Sequence, residues 1–119
     1  MNFGKLSEWI DPALAVRIMR ECGAETLEIG GSIFRGTYRR DGKVIRINPD
    51  ADFDRMIEAL SPRFGFRLTR RDCFLITFFH EAKHCLDDDL LPTMDPIERE
   101  NGANDYSVER FLRWKETGG

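Results

Sequence analysis

The first half of the chain is patterned as one helix followed by strands. Apolar side chains recur four positions apart from Leu14 to Cys22, directly after a residue pair that is typical of a helix start, Asp11-Pro12. The following segment, 25–48, carries apolar residues at alternate positions, which predicts strands facing a core. The pair Asp41-Gly42 lies inside that segment and predicts a tight hairpin turn, because both residues accept a positive φ.

A second helix is predicted after the strands. Apolar residues spaced by three and four positions begin at Phe53 and give an amphipathic pattern, which we expect to end at Ser61-Pro62. Residues 64–68 then alternate apolar and polar side chains, so a short strand or an extended loop is expected there.

Two longer helices are predicted in the last third of the chain. Thr69, three residues before an aspartate, resembles a capping box and predicts a helix over 70–86. The run 73–79 is apolar nearly all round, which indicates a central, buried helix, although periodicity alone would equally suit a buried strand. Asp95-Pro96 predicts the start of a last helix, which we expect to reach about Trp114.

Composition places these elements in one globular domain covering residues 1–119. Apolar residues make up 41% of the chain and charged residues 33%, as in folded rather than disordered proteins. We therefore expect an α+β fold with a small antiparallel or mixed sheet. The sequence has no membrane-spanning stretch, and its N-terminus lacks the pattern of a signal peptide. With only three cysteines, we expect reduced thiols and a cytoplasmic protein.

The charge distribution bears on the partners of the protein. The net charge is −3, which argues against a dedicated nucleic-acid-binding protein and makes a nucleic-acid partner unlikely on this ground. Basic residues nevertheless cluster within 35–46 and within 63–71. Solvated faces with paired charges explain most such clusters, but a nucleic-acid-associated regulator remains one alternative function.

The chemistry of the chain is concentrated in one short motif, His80-Glu81-Ala82-Lys83-His84, which contains both histidines of the protein. Residues four positions apart project from the same face of a helix, so His80 and His84 can share one tetrahedral Zn²⁺. Glu81 is rotated off that face and can act as general base on a water bound to the metal. The motif therefore predicts a catalytic zinc site.

Such a site needs a third protein ligand, and no further histidine is available. Asp88 continues the face of His84, but three ligands in a row along one helix cannot wrap a tetrahedral ion. A carboxylate from a second helix closes the site better, and the segment 87–95 can reverse the chain. The candidate ligands are Glu98, Glu100, Asp87, Asp88 and Asp105.

The motif and the residues downstream of it together resemble the gluzincin metallopeptidases. The segment Glu100-Asn101-Gly102-Ala103-Asn104-Asp105-Tyr106 is similar to the E-x-x-A-[ND]-plus-aromatic pattern of the ImmA/IrrE-like branch. The resemblance implies a minimal zincin-like fold, with a small sheet, a central helix carrying the histidines and a following helix carrying a glutamate. It also implies that Glu100 is the third zinc ligand and that Asn104 orients one histidine.

We therefore expect zinc-dependent hydrolysis of a peptide bond in a protein or peptide substrate, which the resemblance suggests is a regulatory protein. The transition state needs a hydrogen-bond donor near the developing negative charge, and the candidates are Tyr106, Tyr38 or an arginine of the hairpin. One alternative is a catalytically weak, zinc-binding interaction module, suggested by Lys83 where the family has a small residue. The sequence sets neither the substrate identity nor the oligomeric state.

Overall fold

A computed structural model of the chain describes residues 6–31 and 33–117. The expectations for the two ends of the domain and for a leader sequence fall in part on residues outside these ranges. We number the helices and strands in chain order, and their bounds are α1 Pro12–Cys22, β1 Thr26–Ile29, β2 Gly36–Arg39, β3 Val44–Ile47, α2 Phe53–Phe64, α3 Arg70–Leu86 and α4 Pro96–Thr117, with a 3₁₀ turn at Leu91–Thr93.

The three strands form a small mixed sheet in the order β1-β3-β2. Strand β3 is central, with β1 parallel to it and β2 antiparallel. The hairpin between β2 and β3 turns through Gly42 and Lys43, which have φ values of 78° and 47°. The sheet confirms the α+β class, and its mixed form is one of the two predicted. In this arrangement β2 lies at an edge of the sheet.

Helix α3 is the central element, as its apolar surface predicts. Most of its side chains are buried, and it packs against α1, α2, α4 and the sheet. Thr69 and Asp72 form the predicted capping box: the Asp72 amide donates to Thr69 Oγ1 at 3.0 Å and the Thr69 amide donates to Asp72 Oδ2 at 2.9 Å. The run 73–79 is therefore helical rather than a buried strand.

The end of helix α2 differs from the sequence prediction. The helix continues through Pro62 to Phe64 and ends at Gly65, which has a φ of 75°. Pro62 lies in the last turn, where its missing N–H costs the helix a single hydrogen bond. The residues after Gly65 form a loop rather than a strand, and the Leu68 amide donates to Ser61 Oγ at 3.0 Å. Helix α4 likewise continues three residues past Trp114, to Thr117.

One hydrophobic core joins all of these elements. Its largest fully buried members are aromatic, and several of them lie on α3 or pack directly against it. They include Phe53, Phe74, Phe78, Phe79 and Phe111. Among the described residues, no helix is both long enough and apolar enough to cross a membrane.

Candidate metal centre

Three of the predicted site residues, His80, His84 and Glu100, meet where α3 packs against α4. The His80 Nε2 atom lies 3.0 Å from Glu100 Oε2 and 3.2 Å from His84 Nε2, and His84 Nε2 lies 3.4 Å from Glu100 Oε1. Ligand atoms held tetrahedrally at zinc–ligand distances of about 2.0–2.1 Å are separated from one another by about 3.3 Å. The three side chains offer nitrogen and oxygen atoms of the kinds that bind zinc, and one such atom from each lies within 4.8 Å of the others.

The local sequence explains why these side chains meet. The two histidines are one turn apart on α3, and their ring centroids are separated by 4.9 Å. A turn at Leu91–Thr93 and the helix start at Asp95, whose carboxylate accepts from the Glu98 amide, bring α4 back against α3. Ala103 is completely buried, and its small side chain allows the two helices to pack closely one turn after Glu100.

The electrostatic environment of His84 favours its neutral form. Burial lowers the pKa of His84, and the nearby His80 lowers it further. The neutral imidazole is the form that binds a metal. The other ring nitrogen, Nδ1, is buried and has no hydrogen-bond partner among the described residues. An unpartnered buried polar atom costs about 1–3 kcal/mol of stability, so His84 is not a residue that the core alone would favour.

Glu81 lies beside the cluster, and most of its surface is buried. Only 6% of its surface is exposed, and its carboxylate makes no hydrogen bond within the described part of the chain. Burial raises the pKa of Glu81 to about 8, and the Glu100 carboxylate adds to this rise. Strand β2 passes closely over the same side chain at Gly36, where an added Cβ would lie 3.1 Å from Glu81 Cγ and 2.7 Å from Thr77 Cγ2.

The two other predicted site residues, Asn104 and Tyr106, differ in where they lie relative to the cleft. Asn104 faces the same cleft as the cluster, but no hydrogen bond joins its side chain to either histidine. Tyr106 was a candidate oxyanion donor, yet its hydroxyl accepts a hydrogen bond from Arg110 Nη1 at 3.1 Å. Tyr106 lies on a different face of α4 from Glu100 and does not line the cleft onto which the cluster opens. The helical rotation between the two positions explains the difference.

The aspartates at the C-terminal end of α3 form hydrogen bonds and ion pairs with nearby side chains. Tyr38 donates a hydrogen bond of 2.7 Å to Asp88, and Arg40 forms an ion pair with the same carboxylate. The Tyr38 hydroxyl holds the pKa of Asp88 below its usual value, with Arg40 contributing. Lys83 pairs with Asp87 at 3.0 Å. Asp87 and Asp88 therefore pair with other side chains and are not part of the cluster of His80, His84 and Glu100.

The cluster opens into a cleft with two halves. One half is a groove of about 640 Å³ between α2, α3 and α4, and the other is a hollow of about 530 Å³ beside β2. Both are bordered by His80, Glu81 and Glu100. Arg99, which the sequence reasoning missed, lines the second half with its Nε 3.6 Å from Glu100 Oε1. Its position next to Glu100 in the sequence was the available signal.

Comparisons with known proteins add no further information about the site. No protein family, curated protein or solved structure matches the chain.

Proposed function

We propose that the protein is a small zinc-dependent peptidase, and the geometry of the cluster is the observation that carries this proposal. His80, His84 and Glu100 would hold the ion, because one ligand atom from each lies within 4.8 Å of the other two. Each histidine Nε2 also lies within 3.4 Å of one of the two Glu100 carboxylate oxygens. A zinc ion held there supplies a Lewis acid that polarises a peptide carbonyl and lowers the pKa of a water molecule.

The remaining steps belong to residues of the chain. Glu81 borders both halves of the cleft, and its carboxylate has no competing hydrogen bond, so it can take a proton from the attacking water and later return it to the leaving amine. A divalent ion nearby favours the ionised form of Glu81 and so opposes the rise in its pKa. Arg99 contributes a positive charge beside the reacting carbonyl.

The edge of the sheet would position the substrate. Strand β2 borders the hollow next to the cluster through Gly36, Thr37 and Tyr38, and no strand of the described residues pairs with its outer edge. An extended peptide can add to such an edge through backbone hydrogen bonds. Gly36 supports this placement, because its missing side chain allows the strand to approach Glu81.

The first test is the metal content of the purified protein. We expect about one zinc per chain by elemental analysis, and a large loss of bound zinc in Glu100→Gln, since two histidines on one helix bind zinc weakly. Glu98→Gln is the matched control, because Glu98 lies two residues away on the same helix and outside the cluster. Equal zinc content in all three proteins would contradict the assignment of Glu100, and no zinc after loading would overturn the metal centre.

The second test separates zinc binding from chemistry. Glu81→Gln should keep its zinc and lose about 10²–10⁴-fold in the rate of casein or peptide cleavage, since it removes the general base. A variant that bound zinc and cleaved as fast as the parent would overturn the role of Glu81.

One observation favours a second candidate, a zinc-binding interaction module with weak catalysis. Metal-ligating histidines are normally oriented by a hydrogen bond from the second ring nitrogen, and His84 Nδ1 has none within the described residues. Bound zinc without cleavage of casein or of peptide pools would support this candidate over the peptidase.

The cellular location that we propose is the cytoplasm. Cys22, Cys73 and Cys85 are all free and buried, and unpaired thiols are typical of proteins in a reducing compartment.

A further inference from the structure

The groove between α2, α3 and α4 has an apolar floor and a basic rim. Its floor contains Met56, Leu60, Ile76 and Val108. Its rim carries three exposed arginines, Arg35, Arg55 and Arg63. The groove therefore offers apolar contact along its length and positive charge along its border.

Two of these arginines belong to one face of α2. Arg55, Ala59 and Arg63 are spaced four residues apart, so they follow one another along the helix, with the small Ala59 in the middle. At a rise of about 1.5 Å per residue, the two arginine positions are about 12 Å apart, which is the span of about four residues of extended peptide. Arg35 faces them from the segment before β2.

The rim arginines differ from most other arginines near them. None of the three forms an ion pair with a carboxylate among the described residues. Four neighbours within the same two basic segments do form such pairs, and these pairs are Arg40–Asp88, Arg46–Glu28, Arg67–Glu58 and Arg70–Asp54. Three arginines without an ion pair therefore border the groove, although Arg39, Lys43 and Arg71 of the two basic segments also form no ion pair among the described residues.

The acidic groups in the groove do not cancel this charge. The groove contains two carboxylates, Glu81 and Glu100, and both lie at the cluster end. A divalent ion held by the cluster would offset these two carboxylates. Asp50 and Asp52 line the adjoining hollow with Arg35 and Arg55, but neither aspartate forms an ion pair with these arginines among the described residues. The protein as a whole carries a net charge of −3, so the groove is a local positive region on an acidic molecule.

We propose that this groove selects peptide substrates that carry a carboxylate, which Arg55 and Arg63 bind while Arg35 adds attraction from the opposite side. This inference rests on the proposed function, since it names the substrate class of the same cleft. Guanidinium groups bind carboxylates through paired hydrogen bonds, which makes arginine selective for this group. An acidic side chain of the peptide is the expected source of the carboxylate.

The test uses two fluorescent peptide pools with amidated C-termini, identical except that one contains Glu where the other contains Gln. Binding is measured by fluorescence anisotropy on zinc-loaded Glu81→Gln protein, and cleavage is measured on the zinc-loaded parent protein. We expect the Glu pool to bind about tenfold more tightly than the Gln pool. Adding Arg55→Gln and Arg63→Gln together should bring this ratio close to one.

The matched control is Arg67→Gln. Arg67 is an exposed arginine close in sequence to Arg63, but it pairs with Glu58 and lies outside the groove. This variant should keep the tenfold ratio. Equal binding of the two pools, or a ratio that survives the double substitution, would overturn the inference. Displacement of the Glu pool by an oligonucleotide of higher affinity would also overturn it, in favour of a nucleic-acid ligand.

Two further outcomes are distinguishable. A Gln pool with free C-termini that binds as tightly as the amidated Glu pool would support the carboxylate site and assign the carboxylate to the chain end. Arginine-dependent preference without any cleavage would support the groove but contradict the peptidase. Cleavage of both pools at equal rates, with equal binding, would support the peptidase and overturn the groove.

Discussion

The two halves of helix α3 meet opposite requirements. From Cys73 to Phe79 the helix is buried among apolar side chains, and the one polar group there, the hydroxyl of Thr77, donates to the Cys73 carbonyl oxygen at 2.8 Å. From His80 onward the helix carries polar groups at the cleft, where His84 Nδ1 is buried without a partner and the Glu81 carboxylate makes no hydrogen bond among the described residues. The first half is suited to stability, and the second half keeps groups that stability alone would not favour.

This difference marks His80 as the point on the helix where the candidate site begins. Removing a side chain from the apolar half should cost stability without any compensating gain. Removing a polar group from the other half should cost little stability or even increase it, because an unsatisfied group disappears.

The largest effect is expected from Phe78→Ala. Phe78 is completely buried, and truncating a buried phenylalanine costs about 3–5 kcal/mol in transfer free energy and cavity formation. His80→Gln, two residues later, should change the free energy of unfolding of the metal-free protein by less than about 1 kcal/mol, because this side chain is 20% exposed and the glutamine amide can replace its hydrogen bond to Glu100. Urea unfolding of both variants measures the two changes. Similar losses in the free energy of unfolding would contradict the difference between the two halves of α3.

A second, smaller effect is expected from pH. The pKa of Glu81 is about 8 in the folded protein, against an ordinary value of 4.5, so the folded state holds a proton that the unfolded state releases between these values. The stability of the metal-free protein should therefore fall as pH rises from about 5 to 8, by at most about 4 kcal/mol.

Glu81→Gln should remove this part of the pH dependence, because the amide does not titrate. Urea unfolding of the metal-free parent and of the variant across this pH range provides the measurement. An identical pH dependence in the two proteins would show that Glu81 is not the group responsible.

The smallest effect on stability is expected where β2 contacts α3, at the boundary between the apolar and polar halves of that helix. Gly36→Ala would place a methyl group 2.7 Å from Thr77 Cγ2, so we expect a loss of about 1–3 kcal/mol and weaker cleavage. Gly102→Ala is the control, since its added Cβ meets nothing within 4 Å and alanine favours a helix by up to about 1 kcal/mol. Thermal unfolding should move in opposite directions for the two variants, and equal shifts would refute the close contact.

The local signals in the sequence predicted most of the fold. The capping residues Asp11 and Thr69 act within a few residues, and the structure confirms both. The predicted hairpin is also present, but its positive φ values fall on Gly42 and Lys43 rather than on Asp41 and Gly42. The predicted end of α2 at Ser61-Pro62 was wrong, because one lost hydrogen bond in a last turn does not end a helix.

The candidate site was predictable to the extent that it depends on spacing along helices. The i and i+4 positions of His80 and His84 follow from the sequence, and the resemblance singled out Glu100 among five acidic residues. The position of Tyr106 did not follow, because it depends on the rotation of α4 against α3. The groove between α2 and α4 depends on tertiary packing, so Arg55 and Arg63 could not be grouped from the sequence.

The division of the cluster between α3 and α4 has a consequence for folding. His80 and His84 belong to one helix, while Glu100 arrives only when the second helix has docked. An ion bound by all three would act as a reversible cross-link that closes a short loop of chain. Zinc would then favour the state in which α4 is docked over every partly folded state. The concentration of free zinc would therefore set the fraction of molecules in which α4 is docked.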